Sequence, residues 1–185
     1  MQWEVEKSEI VFDDKWLKVR SDRCRMPGGR IVAPYYVLEY PDWINVVGIT
    51  VKKDVVLVRQ YRHGLGKTVV ELPSGTVESQ DQSPQDAARR ELLEETGYAG
   101  DAFVQTGIVS PNPSNHNNRA YCFLARDLEW VQPPQLDDTE EIETVLVPWA
   151  DALAMLQRRE FMQAMHVSSL YYAVNWLDQN DCLPC

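Results

Sequence analysis

Apolar and polar residues alternate with period two along WEVEKSEIVFD and WLKVRSDRCRM, the spacing of strands with one covered face. Asp13-Asp14 and Pro27-Gly28-Gly29 supply turns after these runs, and IVAPYYVLEY, interrupted by Pro34, is a third β-rich stretch. Pro41-Asp42 marks a boundary. Residues 1–42 therefore predict a small antiparallel appendage of two or three strands, packed down by Trp3 and Trp16. A sheet of that size is marginal alone and needs something to dock on.

From Trp43 the pattern changes. INVVGITV and VVLVRQYR are dense in β-branched residues and flank Lys52-Lys53-Asp54, which reads as a hairpin turn. VVELPSG runs from strand into a proline and glycine break. SPQDAARRELLEETG reads as a helix: Ser83 is the N-cap, Pro84 takes the first helical position, Asp86 sits where a capping-box acid would, and Gly97 stops it. Ala87, Ala88 and Leu92 form its core-facing stripe. AFVQTGIVS, RAYCFLARDL and ETVLVPW are further strands, with the polar loop PNPSNHNN between the first two. WADALAMLQRREF and HVSSLYYAVNWLDQ have helical spacing. Residues 43–185 thus predict an α/β domain, a mixed sheet with helices on its faces.

A length of 185 residues suits one domain with a small appended element. The net charge of −10 argues against tracking a nucleic-acid backbone or an anionic membrane surface. No apolar run has the length of a membrane span, and the charged N-terminus MQWEVEKSEI is unlike a signal peptide, so a cytoplasmic location is expected. Among four cysteines, Cys182 and Cys185 form a CxxC with no second ligand pair, read as an inert tail.

The predicted helix carries the candidate chemistry. Residues three or four apart share a helix face, so Glu91, Glu94 and Glu95 converge, and like charges at that spacing destabilise a helix. Two readings are open: a solvated face laced by Arg89 and Arg90, or a hard-cation site for Mg²⁺ or Mn²⁺, whose oxygen-ligand preference the carboxylates meet. The loop Leu72-Pro73-Ser74-Gly75 could aim a carbonyl at that site. Magnesium held by carboxylates usually serves a phosphate, which points to metal-assisted hydrolysis of a phosphoanhydride.

Arg90-Glu91-Leu92-Leu93-Glu94-Glu95-Thr96-Gly97-Tyr98 resembles the second half of the Nudix box at every position. The first half departs: one extra residue separates Gly75 from Arg90, and the usual first glutamate falls on Gln82, with Asp81 beside it. Val58-Arg59-Gln60-Tyr61-Arg62 and Glu71-Leu72-Pro73-Ser74-Gly75 resemble the ADP-ribose and nucleotide-sugar pyrophosphatase branch of that family, as does the strand appendage.

The resemblance implies an α/β/α sandwich and a homodimer built through the N-terminal strands. It implies Glu91, Glu94 and Glu95 as metal ligands with the Ser74 carbonyl, Arg90 as partner of a box carboxylate, and Arg62 as the diphosphate-binding arginine. From the acidic run before ETVLVPW it selects Glu140, then Asp138, as a further ligand or general base. Where the branch often reads Ser-Pro-Gly, this chain offers Asn115 and His116, candidates for contact with a sugar hydroxyl or base edge. Trp43 could stack on a nucleobase or simply pack. The implied activity is Mg²⁺-dependent cleavage of the diphosphate in ADP-ribose or a related nucleoside diphosphate sugar, giving a nucleoside monophosphate and a sugar phosphate. GDP-mannose or another nucleotide sugar is an alternative substrate, and a non-catalytic nucleotide-sugar sensor is the reading from another class. A nucleic-acid or membrane partner is not expected.

Overall fold

The computed structural model describes residues 1–180 together with 182 and 184. These form two compact units, Met1–Pro41 with Ser110–Arg119, and Asp42–Val109 with the chain from Ala120 onward. The sequence places residues 110–119 with the larger domain, but they belong to the first unit. They are bonded there: the Leu38 N–H donates to the Asn115 carbonyl at 2.7 Å, and the Asn118 side-chain Nδ2 donates to the Pro41 carbonyl at 2.9 Å. Sequence distance hides such a pairing.

In the first unit, β1 (Glu4–Asp13), β2 (Lys18–Arg25) and β3 (Ile31–Glu39) form an antiparallel sheet in the order β1-β2-β3. The Asp14 carboxylate closes the first turn, accepting from the N–H groups of Trp16 and Leu17 at 2.7 and 2.8 Å. The sheet has no second layer of its own, so every residue of β1 is exposed despite its alternation. Trp3 stands edge-on to Tyr35, but Trp16 is 70% exposed and does not pack the unit down as expected.

The second unit centres on a mixed sheet, β11-β5-β4-β10-β8, with β6 on β5, β7 on β4 and β9 on β10. Its strands are β4 (Trp43–Thr50), β5 (Asp54–Arg62), β6 (Lys67–Glu71), β7 (Ser74–Thr76), β8 (Tyr98–Ala99), β9 (Ala102–Val109), β10 (Ala120–Trp130) and β11 (Ile142–Pro148). β4 runs parallel to β10 and antiparallel to β5. Both faces are covered, which explains the near-continuous apolar runs of the central strands. On one face Ile44, Val46 and Val56 pack with Ala87, Ala88 and Leu92 of α1 (Pro84–Thr96). On the other, Val47, Ile49, Val55 and Leu57 meet α2 (Trp149–Gln157) and α3 (Ala164–Gln179). The α/β/α layering is the expected one. Among the described residues no helix is long and apolar enough to cross a membrane. Cys122 and Cys182 are free, while the Cys185 half of the CxxC lies outside the described residues.

α1 begins and ends where its residues predict. Ser83 accepts from the Asp86 N–H, and the Asp86 carboxylate accepts from the Ser83 hydroxyl at 2.8 Å. Gly97 takes the left-handed conformation, φ 75°, and its N–H donates to the Leu93 carbonyl. Those caps set the rotation of the helix and so aim its acidic face.

Candidate active site

The acidic face of α1 meets the Leu72-Pro73-Ser74-Gly75 loop. The Glu95 side chain is buried, and the Ser74 N–H donates to its Oε2 at 3.0 Å. Glu91 lies so close under Gly75 that a Cβ there would land on the Glu91 carboxyl group and push that carboxylate aside. The contact Ser74 makes with this face is therefore through its N–H.

A cation already sits among these acids. Arg90 Nη1 donates to Glu91 Oε1 and to Glu94 Oε2, both at 3.0 Å. Its Nε and Nη2 donate to the two oxygens of Asp81 at 3.1 Å each, and Nη2 also reaches the Thr76 carbonyl at 3.0 Å. Arginine's planar fork makes this arrangement possible, and a lysine could not reproduce it. The Asp81 side chain is 4% exposed and also accepts from the Glu78 N–H at 2.8 Å. Its hydrogen bonds to Arg90 hold its carboxyl below the ordinary carboxylate range. Gln82, the residue that sequence counting puts in place of the first box glutamate, is exposed. The extra loop residue thus turns Asp81 inward and Gln82 outward.

Electrostatic strain concentrates on two acids. Burial raises the Glu91 carboxyl to about 7, against the pull of Arg90 and with repulsion from Glu94 and Glu140 adding to it. Burial also raises Glu95 well above the carboxylate range; repulsion from Glu91 and then Glu140 adds, while the Ser74 N–H opposes. Glu140 therefore stands within electrostatic reach of both. It is otherwise an exposed loop residue whose Oε2 accepts from the Asp137 N–H at 3.3 Å.

A cleft of about 590 Å³ opens beside this cluster, lined among others by Trp43, Arg62, Glu71, Ser74, Gly75 and His166. Trp43 pairs in register with Thr76 at the cleft edge. Arg62 is held by Glu71, with Nε 2.7 Å from Glu71 Oε2, and Gln60 donates to the same oxygen at 3.1 Å. Glu71 is 3% exposed, so the pair orients Arg62 firmly.

Asn115 and His116 are used inside the first unit. The Asn115 carbonyl accepts from Leu38, and the His116 ring tilts against Tyr40 at 5.2 Å between centroids. They are not among the residues lining the cleft. Three cleft or cluster residues have roles the sequence reading did not assign: Asp81, Glu71 as the anchor of Arg62, and His166. The inward turn of Asp81 and the burial of His166 on the core-facing stripe of α3 depend on packing that one sequence does not display.

By donor type the cluster fits a hard divalent cation. Glu91, Glu94, Glu95 and Glu140 offer only carboxylate oxygen, and buried acids that repel one another gain most from added positive charge. Among the described residues, no three His, Cys, Asp or Glu side chains converge as an assembled metal cage. Arg90 holds two of the acids by one oxygen each, Glu91 Oε1 and Glu94 Oε2.

A family description, NUDIX domain, matches residues 40–165, and a second, Nucleoside diphosphate sugar hydrolase N-terminal domain, matches residues 3–38. The ADP-ribose pyrophosphatase of Bacillus subtilis (strain 168) is 27% identical over 176 residues, covering 95% of this chain and 92% of its own. The ADP-sugar pyrophosphatase of Mus musculus is 28% identical over 184 residues, covering 91% of this chain and 84% of its own. A crystal structure of an ADP compounds hydrolase has a TM-score of 0.86 and 22% identity, covering 99% of this chain and 98% of that chain; it shares the fold.

Proposed function

The chain belongs to the Nudix hydrolase family, and we propose that it is a Mg²⁺-dependent pyrophosphohydrolase acting on ADP-ribose or a closely related nucleoside diphosphate sugar. The observation that carries this reading is the pairing of two mutually repelling carboxylates, the half-buried Glu91 and the buried Glu95, with a cleft that presents the anchored Arg62. The names of the relatives and of the N-terminal domain description point the same way.

Glu91, Glu94 and Glu95, with Glu140, would hold the divalent ion, which would supply positive charge against the diphosphate. Around it the chain does the rest. Arg62 offers its fork to the diphosphate, held in place by Glu71. Glu140 is the group we assign to accept a proton from the attacking water, a role that requires hydrogen-bond reach in the substrate complex. Arg90, anchored by Asp81, fixes the rotamers of Glu91 and Glu94. Trp43 offers an aromatic face to the nucleobase, a contact worth on the order of 1–3 kcal/mol. A P–O bond to water forms, the bridging P–O bond breaks, and the products are a nucleoside monophosphate and a sugar phosphate.

The exposed β1, with Val5, Ile10, Val11 and Phe12 each about half exposed, supports a homodimer formed through the first unit. Sedimentation of the full chain tests it; a monomer at micromolar concentration rejects it.

The activity test is release of nucleoside monophosphate from ADP-ribose, GDP-mannose and other nucleotide sugars, with Mg²⁺ and with chelator. Turnover of ADP-ribose that chelator abolishes is expected. No turnover of any substrate would reject the reading in favour of a nucleotide-sugar sensor.

A further inference from the structure

Two buried polar atoms of the second unit lack a protein partner and belong to residues that line the same cleft. Asn45 is 1% exposed and its Nδ2 makes no hydrogen bond; His166 is 2% exposed and the same holds for its Nδ1. A buried donor or acceptor left without a partner costs about 1–3 kcal/mol, so the fold carries both at a loss.

Their placement is shared. Side chains alternate along a strand, which puts Asn45 on the same face as Val47 and Ile49, the face that α3 covers. His166 lies one turn before Leu170 on the buried stripe of α3 that continues through Ala173 and Leu177. Apolar residues at both positions would extend the core without penalty. Instead the sheet and the helix each end the core, at the cleft, on an uncharged hydrogen-bonding group.

We infer that Asn45 and His166 form a subsite for a vicinal diol of the substrate's sugar, which rests on the pyrophosphohydrolase reading above. Asn45 Nδ2 donates to one hydroxyl oxygen, and His166 Nδ1 accepts from the neighbouring hydroxyl. The chemistry selects hydroxyls over phosphate. Neither group carries charge: burial, with the nearby positive charge of Arg62, lowers the His166 imidazole to about 3, so it stays neutral. Hydroxyls both donate and accept, as this mixed pair requires. Both atoms are covered, so the diol enters only as cleft side chains turn aside. Met162 and Met165, unbranched and pliable, line the same cleft.

A nucleoside diphosphate sugar has two sugars, and substrate analogues separate them. kcat/KM is measured for ADP-ribose, for its 2′-deoxyadenosine form, and for the β-propyl ester of ADP, which lacks the distal sugar. The wild type should favour ADP-ribose by about tenfold or more over one analogue, which identifies the sugar read. In Asn45→Leu and in His166→Leu that preference should fall to within about twofold, whereas His166→Asn, with a polar atom near the place of Nδ1, should keep it. Asn45→Ala and His166→Ala serve if the leucine variants do not fold. A preference that survives in the leucine or alanine variants, or that the wild type lacks for both analogues, overturns the subsite and leaves these atoms to structural water. Absence of wild-type turnover on ADP-ribose would instead overturn the hydrolase reading, and the subsite with it.

Discussion

Glu91→Gln should make the metal-free protein more stable while removing most of its activity. Burial and neighbouring acids raise the Glu91 carboxyl from 4.5 to about 7 in the fold. At about 1.4 kcal/mol per pH unit, keeping this side chain ionised in the fold costs about 3 kcal/mol above pH 7. The sign follows from proton binding. Between pH 4.5 and about 7 the folded state holds more protons than the unfolded chain, so stability falls as pH rises through that window. A glutamine has the same shape, keeps an oxygen for Arg90, and carries no charge to desolvate. For a chain of this size about 3 kcal/mol corresponds to roughly 6–12 °C in Tm. The assay is thermal unfolding in chelator from pH 5 to 8, for wild type and variant. The gap in Tm should open toward high pH. Added Mg²⁺ should raise the wild-type Tm, because the ion binds only the folded state, and should raise that of the variant much less. kcat should fall at least about 100-fold, the scale seen when one electrostatic stabiliser is removed. A variant less stable than wild type in chelator at pH 8, or equally stabilised by Mg²⁺, would refute the reasoning.

Other outcomes follow from single contacts. Asp81→Ala frees Arg90 from its bidentate anchor, so kcat should drop about tenfold or more with KM little changed, whereas Gln82→Glu, at an exposed position, should leave steady-state kinetics as they are. Arg62→Lys replaces a fork with a point charge and leaves Glu71, 3% exposed, with Gln60 alone; KM for ADP-ribose should rise about tenfold or more in initial-rate measurements. His166 is held neutral in the fold, its imidazole lowered from 6.5 to about 3, so its contribution is present above pH 6.5 and is lost as pH falls toward 3. Denaturant titrations at pH 7 and pH 4 should show His166→Asn losing less stability on acidification than wild type, with Arg62 and Glu71, the charged groups of the cleft wall, unchanged in both. Identical pH dependence in the two proteins would show that His166 titrates normally.

Local chemistry made much of the molecule legible in advance. Serine and proline at the start of α1 and glycine at its end bound that helix through contacts within a few residues. The dense β-branched runs predicted β4 and β5, and the spacing of Glu91, Glu94 and Glu95 placed the acids on one face. Each of these depends on neighbours in sequence, through hydrogen bonds and side-chain periods that repeat every two to four residues. What the acids do to one another was only half visible, because burial, the largest cause of the shifts on Glu91 and Glu95, is a property of the packed sheet and loop.

Tertiary structure alone decided the remainder. Residues 110–119 join the first unit because their backbone groups pair with Leu38, a partner far away in sequence. Alternation in β1 promised a covered face, yet a single chain leaves that strand exposed, because covering it takes a second layer and not a pattern. The loop of the box could be counted to Gln82, but which side chain turned inward was settled by the reach of the Arg90 guanidinium, and Asp81 met it. Likewise Asn45 and His166 are unremarkable letters on a strand and a helix until the sheet and α3 pack and bring both to one cleft. Short-range geometry determines which elements form and which way they face; the meeting of distant groups, and the dielectric they then share, follows only from the closed fold.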